Sequence, residues 1–244
     1  MSGEQARAEP TGHAHPIRAW AATLLLPVLA LVAVGVLIDR PRPAGEPARR
    51  ERRAALAIRD AVDPAEVLLT WAFVAPRLER AYGEVRTVTE RQPFDGPSRE
   101  RFVADFLDLA ARYAEIDIYC LAHTNDYVTW LARTPRDLTG RIRLVYNSGC
   151  DCGAQAPDWL ALGADSVVAH PGVAAHAPFF FYFARRWWAG APLADAVAAA
   201  QSQAEGFFAR LAALGADPAD DLGLVRRSPG TLTGDATLTF EGAR

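Results

Sequence analysis

Two apolar runs that break off in small and reactive residues anchor the pattern of hydrophobic and polar positions: IDIYCLAHTND from Ile116 to Asp126, and RLVYNSGCDCG from Arg143 to Gly153. Each reads as a buried parallel strand emptying into a loop, the first at His123 and the second at Cys150. Around them the pattern predicts further elements. Ala48 to Ala61 reads as an arginine-rich helix, Glu66 to Val74 (EVLLTWAFV) as a first buried strand, and Pro76 to Tyr82 as a short helix with proline at its start. Glu84 to Glu90 (EVRTVTE) alternates strictly and predicts an edge strand. Ser98 is placed to cap a helix whose Phe102, Phe106, Leu109, Ala110 and Tyr113 recur at helical spacing.

Past His123, Thr124 or Asn125 is placed to cap a short helix (DYVTWLAR), and Thr134 to Gly140 turns the chain into the second strand. Asp158 to Leu162 predicts a brief helix, Ser166 to His170 a short strand, and Pro171-Gly172 a turn. Ala177 to Ala189 is an apolar helix stopped by Gly190, and Pro192 opens a long alanine-rich helix ending near Gly215. The tail TLTGDATLTF predicts a terminal hairpin about its Gly-Asp turn. Strands alternating with helices predict an α/β fold: a mainly parallel sheet with helices on both faces.

One segment belongs to a different solvent. Ala19 to Ile38 is an uncharged run of 20 residues, and about 20 residues of helix cross a hydrocarbon core of roughly 30 Å. Secretory signal peptides have shorter apolar cores and a small-residue cleavage site, whereas this run exits into DRPRP. A buried core helix is rarely apolar on every face. A single transmembrane helix is therefore expected at 19–38, after a polar, disordered tail at 1–18 and before a basic Pro/Arg linker at 39–53, with the α/β domain over 54–244. Arg40, Arg42, Arg49, Arg50, Arg52 and Arg53 follow the span, while Arg7 and Arg18 precede it. That asymmetry predicts a single-pass protein of the cell membrane with a cytoplasmic C-terminal domain. The linker arginines can also lie against anionic headgroups.

Composition narrows the partners. The net charge is -3 and all basic side chains are arginine, with no basic surface stripe of the kind nucleic acid requires. Three cysteines, two of them at i and i+2, make no disulfide framework, which suits a reducing compartment. Cys120, inside a strand, reads as a small buried hydrophobe. Cys150 and Cys152 lie in a Gly-Asp loop that burial explains less well. His170 and His176 read as structural, and His13 with His15 offers at most a weak metal site in the tail. If the two anchor strands are parallel neighbours, His123 and Cys150 open on one edge of the sheet, where open α/β sheets place their ligands.

The order of strand, His123, helix, strand, Cys150 resembles the caspase-like cysteine peptidase superfamily, which includes separases, gingipains and CHAT domains. The resemblance rests on LAH at Leu121–His123 and NSGC at Asn147–Cys150. It continues in DWLALGADSVVAHPG from Asp158 to Gly172 and in the Gly-x-Pro-Leu-x-x-Ala-Val pattern from Gly190 to Val197. It covers about Glu66 to Ala200. It implies a caspase-like sandwich and a peptidase in which Cys150 is the nucleophile and His123 its proton partner. Backbone N–H groups near Thr124 and Gly149 would hold the oxyanion. Thr124 departs from the family, which usually carries glycine there. No cofactor is implied. Asp126, Asp151 and Asp158 could pair with a basic substrate side chain, or be solvated loop and capping carboxylates. Two other readings stand beside the peptidase: a catalytically silent caspase-like domain binding a protein partner at the membrane, and metal binding by Cys150, Cys152 and His123. The last has only three soft ligands where structural zinc takes four.

Overall fold

Strands covered on both faces must be apolar on both, and the central segments of this chain meet that condition. A computed structural model describes residues 51–60, 75–90, 96–122, 126–173, 176–213 and 219–242, all within one compact unit, Pro41–Arg244. Strands β1 (Arg53–Asp60), β2 (Glu84–Glu90), β3 (Glu115–Leu121), β4 (Ile142–Asn147), β5 (Ser166–Ala169) and β6 (Thr231–Gly234) form one sheet in the order β2-β1-β3-β4-β5-β6. The first five are parallel, and β6 runs antiparallel to β5. The helices are α1 (Ala75–Ala81), α2 (Gly96–Arg112), α3 (Tyr127–Trp130), α4 (Arg136–Thr139), α5 (Ala156–Leu162), α6 (His176–Trp187), α7 (Leu193–Ala213) and α8 (Ala219–Arg227), with a 3-10 turn at Cys152–Gln155.

Strand side chains alternate between faces, so the sheet has two cores. On one face Ile116, Ile118 and Cys120 of β3 pack with Phe102 and Phe106 of α2, Tyr127 of α3 and Trp159 of α5. On the other, Tyr119, Leu144 and Tyr146 pack against Phe179, Phe180, Phe183 and Trp187 of α6 and against Ala196 and Ala200 of α7. The predicted α/β architecture, the edge position of β2, the stripe of α2 and the helices α6 and α7 are present.

Several expectations are corrected. The described part of the expected helix Ala48 to Ala61 is not helical: Arg53–Asp60 is β1, with Ala54 to Ile58 buried. A short alanine-rich run is ambiguous by pattern, and pairing with β2 on one side and β3 on the other overrides alanine's helical preference. Ser98 does not cap α2, which begins at Gly96; its hydroxyl donates to the Thr89 carbonyl at 3.3 Å. The segment after His123 forms the single turn α3, with Asp126 at its N-cap, and Thr134–Gly140 contains the single turn α4. The tail is no hairpin. Its first limb, β6, pairs with the edge of β5, and Thr239 bridges to Pro192, because an open sheet edge offers more backbone partners than a turn of the tail's own. Helix α8 was not predicted.

Four charged residues at the amino ends of the strands are buried. Arg143 forms a two-pronged pair with Asp117, at 2.9 and 2.6 Å, and donates to the Phe240 carbonyl at 3.0 Å. Its guanidinium lies over the rings of Trp187 and Phe240. Arg53 pairs with Glu115 and donates to the Phe240 and Gly242 carbonyls. The C-terminal segment is thereby tied across β1, β3 and β4. The tail, the span at 19–38, the linker up to residue 50 and the expected strand from Glu66 to Val74 lie outside the described residues. Among the described residues no helix is long and apolar enough to cross a membrane.

Candidate functional site

β3 and β4 are parallel neighbours with Cys120 opposite Asn147, so their carboxyl ends leave the sheet side by side. Ser148 binds the two exits together, its N–H and its hydroxyl both donating to the Cys120 carbonyl, at 2.9 and 3.0 Å. The chain then folds tightly: the Gly149 N–H donates to Asn147 Oδ1 at 3.0 Å. Cys150 follows, half-buried at the start of the turn. Asp151 has φ 55°, the only left-handed non-glycine residue among those described. A non-glycine residue in that region carries about 1–3 kcal/mol of strain, and here its N–H donates to the Gly172 carbonyl at 3.1 Å.

Cys152 behaves differently from Cys150. It is almost fully buried, and its thiol bonds the Asn147 carbonyl at 3.1 Å, while the His170 N–H points at its sulfur from 3.2 Å. Burial pushes this thiol up to about 11, because a thiolate loses its hydration there. Cys120 is buried within β3 and its thiol is likewise raised by burial. None of the three forms a disulfide. The Gly153 N–H donates to the His170 carbonyl at 2.8 Å. A Cβ at this glycine would sit 3.2 Å from that oxygen, so the close approach of the two loops depends on its absence.

His123 and Thr124 lie outside the described residues; the chain is described up to Ala122, buried just past β3. Asp126, Asp151 and Asp158 are all exposed. Asp126 offers its main-chain oxygen to Thr129 rather than its carboxylate, and Asp158 sits in the first turn of α5, where a negative charge suits the helix dipole. The solvated and helix-start reading accounts for all three. Of the set Cys150, Cys152 and His123, the described pair differs sharply in exposure, and among the described residues no group of three or more His, Cys, Asp or Glu could hold a metal ion.

Three residues of this edge were not singled out by sequence as part of it. Asn147 orders the turn from both ends, through Oδ1 and its carbonyl, and its buried Nδ2 has no hydrogen-bond partner among the described residues. Glu90, at the end of β2, is buried and accepts the Tyr127 hydroxyl at 2.8 Å. Ser228, just past α8, takes His170 Nδ1 on its carbonyl at 3.0 Å and accepts the Gly172 N–H on its hydroxyl at 3.0 Å. The only available signal was for Asn147, which closes an apolar run at the head of a Ser-Gly turn. Compared with known proteins, the chain matches no family model and no curated protein.

Proposed function

We propose that the chain is a membrane-anchored, caspase-like cysteine peptidase acting on a peptide or protein substrate from the cytoplasmic face. The reading is carried by one observation: β3 and β4 leave the sheet as parallel neighbours joined through Ser148 and the Cys120 carbonyl. Side-by-side exits are what a Cys150/His123 pair requires. Burial supports the choice of cysteine, since Cys120 and Cys152 are enclosed and their thiols raised, while Cys150 is partly open to solvent.

In this reading His123 accepts the Cys150 proton, and the thiolate adds to the scissile carbonyl. The tetrahedral adduct collapses by expelling the amine, which takes its proton from His123, and water then hydrolyses the thioester to regenerate the thiol. Each oxyanion donor contributes about 2.7 to 4 kcal/mol. The Gly149 N–H is bonded within the turn to Asn147, so it reaches an oxyanion only if that turn opens. This observation favours the second reading, a catalytically silent domain that binds a protein partner at the membrane.

The test uses the full-length chain in detergent, alkylated from about pH 5 to about pH 9 and presented with a peptide library. The peptidase reading expects cleavage that is lost in Cys150→Ala and His123→Ala and kept in Cys152→Ala. Absence of cleavage, together with alkylation only at the pH of an ordinary thiol, selects the silent domain.

A further inference from the structure

The Cys150 turn is held by a chain of contacts that ends far away in sequence. Asp151 N–H donates to the Gly172 carbonyl, Gly153 N–H donates to the His170 carbonyl, and Cys152 sulfur receives the His170 N–H. The turn is therefore fastened to the exit of β5. That exit is fastened in turn by Ser228, through its carbonyl to His170 Nδ1 and through its hydroxyl to Gly172 N–H. The His170 ring is about 1% exposed and meets Phe179 edge-on at 4.8 Å. A carbonyl can only accept, so Nδ1 carries the proton and Nε2 is the bare nitrogen. Nε2 is buried and has no hydrogen-bond partner among the described residues.

We propose that His170 is a positioning residue for Cys150, clamping the cysteine turn in its neutral form through Ser228 and releasing it when the ring takes up a second proton. A proton added at Nε2 would create a buried charged donor with no acceptor for it among the described residues. The turn must open to admit water. Burial lowers the affinity of this ring for a proton, the Ser228 carbonyl offsetting that only in part. Among the described residues, the other titratable or charged groups on the surrounding elements leave this balance alone, and the side chains of Asp220 and Asp221 of α8 lie outside them. The Cys152 thiol and Tyr146 hydroxyl are both raised by burial and stay neutral. Arg185 and Arg186 of α6, Arg226 and Arg227 of α8 and Asp151 are all exposed, and β6 carries none. The side chain of His176, at the start of α6, lies outside the described residues.

The sign is fixed by linkage. The unfolded or opened chain, with an ordinary imidazole near about 6.5, binds more protons than the clamped one, so the clamp holds above that value and weakens as pH falls below it.

This inference rests on the assignment of Cys150 as the reactive thiol, but its readouts do not require peptide cleavage. Hydrogen exchange at Asp151 and Gly153, and mass-spectrometric mapping of alkylation at Cys150 and Cys152, are followed against pH in the full-length chain. In the wild type, exchange at both amides relative to their intrinsic rate at each pH, and labelling of the buried Cys152 relative to its thiolate fraction, should rise about tenfold as pH drops from about 7 to about 5. His170→Asn keeps a donor near the Nδ1 position and cannot take a proton. It should hold the turn closed and abolish the acid rise. His170→Phe removes the donor and should open the turn at every pH. Ser228→Ala removes the hydroxyl arm alone, and should speed exchange at Asp151 while sparing Gly153; it serves where His170→Phe does not fold. An acid rise that persists in His170→Asn, or a His170→Phe variant or Ser228→Ala variant that exchanges like the wild type, overturns the proposal. Normal acid opening without peptide cleavage would instead leave it standing and count against the peptidase.

Discussion

Neutral alkylation should select the partly open Cys150 over the enclosed Cys152, and the handicap of Cys152 follows from its burial. At pH 7 an ordinary thiol with pKa about 8.5 is about 3% thiolate. With its thiol pushed up to about 11, Cys152 is about 0.01% thiolate, about 300-fold below such an ordinary thiol. A more basic thiolate is the better nucleophile, and a Brønsted slope of about 0.4 to 0.5 returns about 10- to 18-fold of that ratio. Against an ordinary thiol, Cys152 is left about twentyfold slower from ionisation alone. Enclosure of the Cys152 sulfur between the Asn147 carbonyl and the His170 backbone adds a steric barrier on top. The measurement is second-order labelling with iodoacetamide at pH 7, resolved by peptide mapping, in wild type, Cys150→Ala and Cys152→Ala. Cys150→Ala should lose nearly all labelling, and Cys152→Ala should keep it. Equal labelling of the two thiols, or labelling that survives Cys150→Ala, would refute the reasoning and move the reactive residue two positions into the loop.

Arg143→Met removes the pair with Asp117 and leaves that carboxylate buried with the Tyr82 hydroxyl; the loss should be about 3–5 kcal/mol in urea unfolding, largely restored by adding Asp117→Asn. If the double variant is no more stable than the single one, the clamp is not electrostatic. Gly153→Ala sets a Cβ 3.2 to 3.3 Å from the backbone of His170 and Pro171 and should cost about 1–3 kcal/mol while raising Cys152 labelling; an unchanged midpoint argues against close approach there. For the expected span, a reporter fused after Arg244 should be active only in a cytoplasmic format, and activity on the other side of the membrane would reverse the orientation.

Much of the fold was written locally. The β3 and β4 runs are apolar on both faces and end in small residues, α2 repeats its aromatic residues at helical spacing, and Gly190 with Pro192 marks the break between α6 and α7. Such signals need only neighbours in the chain, so they survive without the tertiary structure. The edge carrying Cys150 was legible for the same reason, because parallel strands that empty into reactive loops must share an edge if they pair.

What the tertiary structure decided depends on partners far apart in sequence. Residues 53–60 are a strand because β2 and β3 flank them, although the alanine-rich segment by itself suits a helix. Nothing in their own runs pairs Arg143 with Asp117; the sheet lays them side by side and the chain at Thr239 and Phe240 accepts hydrogen bonds from Arg143. The end of the chain joins β5 rather than folding on itself, since an open strand edge and a buried arginine compete for its backbone. The sequence by itself determined which segments are apolar and where they stop, because those properties belong to runs of adjacent residues. Only the folded chain decided that Cys152 is enclosed, that Cys150 stays partly open and that His170 reaches Ser228, because burial and hydrogen bonding are properties of what surrounds a side chain.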